Sequence, residues 1–244
     1  MDEWKYDPAH DLGLPAAQRT KSLKRESGLI GLALRNTWWW GVRVYLAACQ
    51  RVEVEGRENL PPAPPFMLVA NHASHLDALV LASALPLKLR NRVFPIAAGD
   101  TFFEKTMISA FAAGMMNALP LSRKSAGRHA LEELRRRLVA EPCGYILFPE
   151  GTRSRTGAMA PFRSGVGMLI AGVPVPVIPC HLSGTFDAMP PRRKIPRRAQ
   201  IRLRIGKPLF FAQVANKREG WEEIAGRLEA EVRALADQPK RPVT

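Results

Sequence analysis

The sequence is poor in cysteine and in acid, and its longest apolar stretch is broken by charge. Cys49, Cys143 and Cys180 lie far apart and form no CxxC pair. That spacing excludes a zinc knuckle and a disulfide framework. Three isolated thiols fit a reducing compartment, where they are expected to be buried as small apolar side chains. Acids number 22 against 36 lysines and arginines, which leaves a formal charge of +14. A field of that sign draws polyanions: nucleic acid, anionic membrane or phosphorylated substrates. No secretory signal is expected, because the first apolar run begins near Leu29, behind a polar lead.

Several catalytic signatures are missing as well. There is no GxSxG elbow; the nearest stretch, FRSGVG, has Phe162 where the first glycine belongs. His72 and His75 lack the HExxH arrangement and an obvious third ligand, so no metal is expected. Neither a Walker-type loop nor GxGxxG occurs, and no cofactor is implied.

What is present is one domain's worth of chain. Its 244 residues are 46% hydrophobic and 24% charged, enough for a full core. Residues 1–28 read as a loosely ordered polar lead. Residues 29–50 follow as a helix, LIGLALRNTWWWGVRVYLAAC and Gln50. It is about as long as a membrane span. Arg35 and Arg43 oppose spanning, at about 2.5–3.5 kcal/mol each in mid-bilayer. Asn36, Arg43 and Gln50 recur every seven residues on one face, and Trp38, Trp39 and Trp40 suit the headgroup level. An amphipathic or re-entrant helix lying in one leaflet is expected; the alternative is a helix packed on the protein's own core.

Further along, strands alternate with helices. RVEVE (51–55), FMLVA (66–70), VFPIAA (93–98), ALPLS (118–122), YILFP (145–149), VPVIPC (175–180) and QIRLRI (200–205) read as strands. The prolines of VPVIPC suggest an edge or a bulge. Helices are expected at 74–85, 102–113, 126–140, 165–171 and 222–235. The pattern predicts a single α/β domain with a mostly parallel or mixed sheet flanked by helices.

Two motifs carry chemistry, each directly after a buried strand, where α/β folds place their sites. NHASHLD (71–77) follows FMLVA. Ser74 and Asp77 have capping-box spacing, so they also read simply as a helix cap. His72 precedes the cap, and a loop there can fold its ring back onto Asp77. One ring nitrogen would then be held while the other stays free as a base. His75 is expected to face solvent or to pack. FPEGTRSRTG (148–157) follows YILFP. Glu150 suits an acceptor hydroxyl, Gly151 a close backbone approach, and Arg153 phosphate oxygens. The same stretch also reads as a glycine turn with a surface arginine.

The pair resembles the glycerolipid acyltransferases of the lysophosphatidic acid acyltransferase type. NHASHLD matches their NHxxxxD signature, FPEGTRS matches at every position, and VPVIP (175–179) matches the later VPxxP element. The middle GxxFIxR block departs: Arg123 fits its arginine, but Asn117, Pro120 and Leu121 replace the Gly, Phe and Ile. The resemblance covers roughly residues 50–210 and implies an acyltransferase domain over 51–236 with a tail at 237–244. It implies His72 as general base oriented by Asp77. Arg123 and Arg153 would hold a lysolipid phosphate, and Glu150, Gly151 and Thr152 would line the glycerol site. The implied reaction takes acyl-CoA or acyl-carrier protein as donor and 1-acylglycerol-3-phosphate as acceptor. Another lysolipid acceptor, or a non-catalytic membrane-binding protein of this fold, would carry the same motifs.

The run PRRKIPRRAQIRLRIGK (191–207) is basic and has no acid. Without interleaved aromatics or a nucleic-acid module, it points to a membrane lipid surface rather than nucleic acid. A docking site for an acidic carrier protein would have the same composition. The expected location is peripheral or monotopic, on the cytoplasmic face of a membrane.

Overall fold

The computed structural model describes residues 13–15, 28–98, 111, 113–121 and 127–238. Most of the polar lead, Arg123 and the tail beyond Gln238 lie outside the described residues, as does most of the helix expected at 102–113.

The chain enters through helix α1 (Leu29–Cys49) and strand β1 (Arg51–Glu55). Next come β2 (Phe66–Ala70), α2 (Leu76–Ala84), α3 (Leu87–Arg90), β3 (Val93–Ala98) and β4 (Leu119–Leu121). Helix α4 (Gly127–Ala140), β5 (Gly144–Leu147), α5 (Gly165–Ile170), β6 (Val177–Ser183) and α6 (Thr185–Ala188) lead to β7 (Gln200–Ile205) and α7 (Arg218–Asp237). Seven strands form one sheet in the order β1-β7-β6-β2-β5-β3-β4. Every neighbouring pair is parallel except β6 and β7, so the sheet is mixed, as the alternation predicts.

Strand β2 explains why the sheet is buried on both faces. All five of its residues are buried, and alternation sends them to opposite sides. Met67 and Val69 join Tyr145 and Leu147 under α4, α5 and α7. Phe66, Leu68 and Ala70 join Ile146 under α1 and α2. The chain leaves β2 toward β3, returns to β5, then crosses β2 to reach β6. The carboxyl ends of β2 and β5 lie at this switch, where open α/β sheets bind ligands.

Three expectations are corrected. VPVIPC is not at an edge: β6 lies between β2 and β7. Pro179 is tolerated because its nitrogen faces a gap in the ladder. On that side Val177 pairs with Leu209, and the β7 ladder starts only at Cys180. The carbonyl of Pro179 still accepts from Gly206 N at 2.8 Å. Cys49 is exposed, whereas Cys143 and Cys180 are buried.

The third correction concerns α1. Trp39, Val42 and Leu46 are buried at helical spacing against α2 and the sheet, so one face packs on the protein's own core. Arg35 is buried too, with its Nε donating to Gly114 O at 3.0 Å. Gln50 is not on a solvent face but bonds Tyr45 Oη, Arg197 O and Ala199 N. Leu29, Ile30, Leu34, Trp40 and Val44 remain exposed, so the outer surface is apolar where Arg43 and Asn36 do not interrupt it. No helix among the described residues is long and apolar enough to cross a membrane.

Candidate active site

The two motifs meet at the carboxyl ends of adjacent strands. Residues 71–75 leave β2 as a tight loop before α2. Asp77, fully buried on the first turn of α2, organises that loop through one oxygen. Its Oδ2 accepts from Ala73 N at 2.7 Å and from Ser74 N at 2.8 Å. The same oxygen lies 2.9 Å from His72 Nδ1. Half of the capping box is therefore present, while Ser74 Oγ takes Leu76 N at 3.1 Å. One carboxylate both shapes the turn and holds the ring, so the cap and the His–Asp pair coexist. With Nδ1 donating to Asp77, Nε2 is left as the basic nitrogen.

The second motif supports the first. Phe148 stacks on the His72 ring, with centroids 4.1 Å apart and planes 19° apart. Ser154 N donates to His72 O at 2.8 Å. Glu150 is 3% exposed, and both its oxygens accept from backbone: His72 N at 2.6 Å and Ala160 N at 2.9 Å. Glu150 thus clamps one motif to the other, and each oxygen keeps a second lone pair, so the clamp is compatible with the expected contact to an acceptor hydroxyl. Burial raises its carboxyl above the usual range, against the two backbone bonds that favour the anion.

Gly151 adopts φ of +75°, and an added Cβ would stand 3.0 Å from Arg163 Nε. The positive φ calls for glycine, and the group that approaches it is the Arg163 side chain. Thr152 is exposed. Arg153 and His75 form a hydrogen bond between Nη1 and Nε2, in which the guanidinium must donate. His75 is therefore an acceptor and neutral, not a solvent-facing bystander. Burial, reinforced by Arg153 and His72, pushes it down to about 4.

Asn71 and Arg163 were not singled out from the sequence. Asn71 is buried and makes a reciprocal pair with Leu182, donating to its O at 2.9 Å and accepting from its N at 2.8 Å. It ties the end of β2 to β6. An asparagine directly after a wholly apolar strand was the available signal, because a buried amide must find partners. Arg163 had none, since it reaches Gly151 only through the fold.

The site is a histidine–carboxylate pair at the switch point of an α/β sheet, with the Arg153 and Arg163 guanidiniums close to the second motif. The acyltransferase family model matches residues 51–183, more than half of the chain, and the protein belongs to that family. The 1-acyl-sn-glycerol-3-phosphate acyltransferase alpha of Mus musculus is 31% identical over 158 residues, covering 63% of this chain and 53% of its own length. The chloroplastic 1-acyl-sn-glycerol-3-phosphate acyltransferase BAT2 of Brassica napus is 32% identical over 181 residues, covering 70% and 48%. The chain thus spans about half the length of these curated relatives. The crystal structure of PlsC, a 1-acyl-sn-glycerophosphate (LPA) acyltransferase from Thermotoga maritima, has the same fold. It superposes with a TM-score of 0.65 at 23% identity, over 86% of this chain and 81% of that one.

Proposed function

We propose that the protein transfers a fatty acyl group from a thioester donor, acyl-CoA or acyl-carrier protein, to the free hydroxyl of a lysophospholipid. The preferred acceptor is 1-acylglycerol-3-phosphate and the product phosphatidic acid. His72 Nε2 takes the hydroxyl proton as the oxygen attacks the thioester carbonyl. The tetrahedral intermediate expels the thiolate, and the proton passes from His72 to the departing sulfur. Asp77 holds the ring and stabilises the imidazolium as it forms. Arg153, positioned by His75, binds the acceptor phosphate together with Arg123. Glu150, Gly151 and Thr152 line the glycerol site, and Glu150 also clamps the two motifs together. The enzyme works peripherally on the cytoplasmic face of a membrane, with the outer side of α1 in contact with lipid.

The observation that carries this reading is the 2.9 Å His72–Asp77 contact, held at the mouth of two adjacent strands beside Arg153. Both relatives' names carry the same acceptor. The test is radiolabelled acyl transfer by wild type and His72→Ala. The acceptor panel is lysophosphatidic acid, lysophosphatidylcholine and lysophosphatidylglycerol, each with both donors. Transfer to lysophosphatidic acid that disappears in His72→Ala is expected. Full activity in the variant would refute the mechanism, and preference for another acceptor would refute the assignment of substrate.

A further inference from the structure

The basic run 191–207 is not one surface. Its two arginines in β7 are consumed inside the fold, while Lys207 just beyond the strand is exposed. Arg202 pairs with Glu53 and Glu55 of β1, and Arg204 pairs with Glu55. Arg204 also donates to Leu235 O and Ala236 O at the end of α7. The first half is different. Arg192, Arg193, Lys194, Arg197 and Arg198 are all exposed, and none forms an ion pair among the described residues. Between them stands Ile195, 75% exposed.

This loop sits at the catalytic end. β6 runs parallel to β2, so the chain beyond β6 emerges on the same side of the sheet as His72. A direct bond confirms the proximity: Ser74 Oγ donates to Met189 O at 2.7 Å. The loop is also braced. Arg193 N donates to Pro190 O at 2.9 Å, and Arg193 Nε to Ile195 O at 2.7 Å. Arg197 N donates to Ala188 O at 2.9 Å. Gln50, at the end of α1, donates to Arg197 O at 3.1 Å and joins the loop to that helix.

We infer that the loop 190–198 docks on an anionic bilayer surface, with Ile195 at the acyl boundary and the five cations at lipid phosphates. A branched alkyl tip within a ring of cations suits an interface that is apolar below and anionic above. Docking through this loop turns the His72 end of the sheet toward the lipid that supplies the acceptor. The inference rests on the reading of the protein as an enzyme of lipid substrates.

The test is flotation of the full chain with phosphatidylcholine vesicles, with and without phosphatidylglycerol. Arg192→Gln/Arg193→Gln/Lys194→Gln is expected to weaken partition into the anionic vesicles on the order of a hundredfold. That follows from about fivefold per charge, the ~1 kcal/mol a basic residue gains at such a surface. Ile195→Asp is expected to weaken it as well. Lys217→Gln/Arg218→Gln/Arg227→Gln removes equal charge around the start of α7 and is expected to change partition only a few fold. Acyl transfer to a dispersed short-chain lysolipid should be kept by all three. Unchanged partition of both loop variants overturns the inference. So does loss of transfer from acyl-carrier protein with partition intact, which would make the loop a carrier dock. Loop-dependent partition by a protein that transfers nothing would sink the proposed function and leave the docking surface standing.

Discussion

Asp77→Asn separates the structural role of Asp77 from its electrostatic one. In the wild type a single oxygen, Oδ2, accepts from Ala73 N and Ser74 N and faces His72 Nδ1. Oδ1 is buried without a hydrogen-bond partner. An asparagine can place its carbonyl at the Oδ2 position, keep all three contacts and leave its amide where Oδ1 stood. The loop and the ring tautomer then survive, and only the negative charge is lost. A carboxylate about 4 Å from the centre of an imidazolium charge contributes roughly 4 kcal/mol at an effective dielectric of ~20. That predicts a kcat reduced about 10³-fold with little change in KM. Asp77→Ala should behave differently, because it strands two buried N–H donors at about 1–3 kcal/mol each and lowers the melting temperature as well. Steady-state transfer with a detergent-solubilised acceptor, alongside thermal denaturation of both variants, provides the assay. An Asp77→Asn enzyme within tenfold of wild-type kcat would show that Asp77 is a loop cap and nothing more.

Glu150→Gln replaces an acceptor of two backbone N–H groups with a side chain that can satisfy one. It should cost about 1.5–3 kcal/mol, measured by urea denaturation, and lower kcat by releasing the His72 loop. Gly167→Ala would place a Cβ 2.4 Å from Trp221 Cα and O, so α7 must shift from α5. A loss of about 1–3 kcal/mol is expected, read by calorimetry, with transfer retained at low temperature. His181 is pushed down to about 4, by burial first and Arg204 next, as His75 is by burial and Arg153. Both bind fewer protons folded than unfolded between pH 4 and 6.5, so stability rises with pH across that window and falls on acidification. His181→Gln should remove about one proton from the uptake on unfolding near pH 5, visible as a shallower slope of stability against pH.

Strand positions and the His–Asp pair were legible because each rests on local rules. FMLVA is uniformly apolar and becomes a central strand buried on both faces. His72 and Asp77 are joined by a short loop that Asp77 itself closes through Ala73 N and Ser74 N. The partners of Glu150, His75 and Gly151 were not legible, because each lies on the other motif or beyond it. Glu150 reaches back 78 residues to His72 N, and Arg153 spans the same separation to His75. A carboxylate that satisfies backbone and one that binds a substrate hydroxyl are identical in sequence. Only the register of β2 on β5 brings the two motifs level, so that one carboxylate can reach both.

The charges of this chain misled for a related reason. Arg35, Arg90 and Arg204 are each at most 6% exposed, and each spends donors on carbonyls at the ends of helices or loops. A guanidinium with five fixed donors suits that work, because it satisfies several orphan carbonyls at once. Arg35 therefore opposes a membrane span for a reason other than its cost in lipid: it faces inward to hold Gly114. Such residues add to the formal +14 but not to the outward field a partner meets. The field that remains is carried by exposed side chains, and loop 190–198 contributes five of them beside the His72 end of the sheet. A net charge read from composition gives the sign of the partner. Where that partner sits follows only from subtracting the arginines the fold has already used.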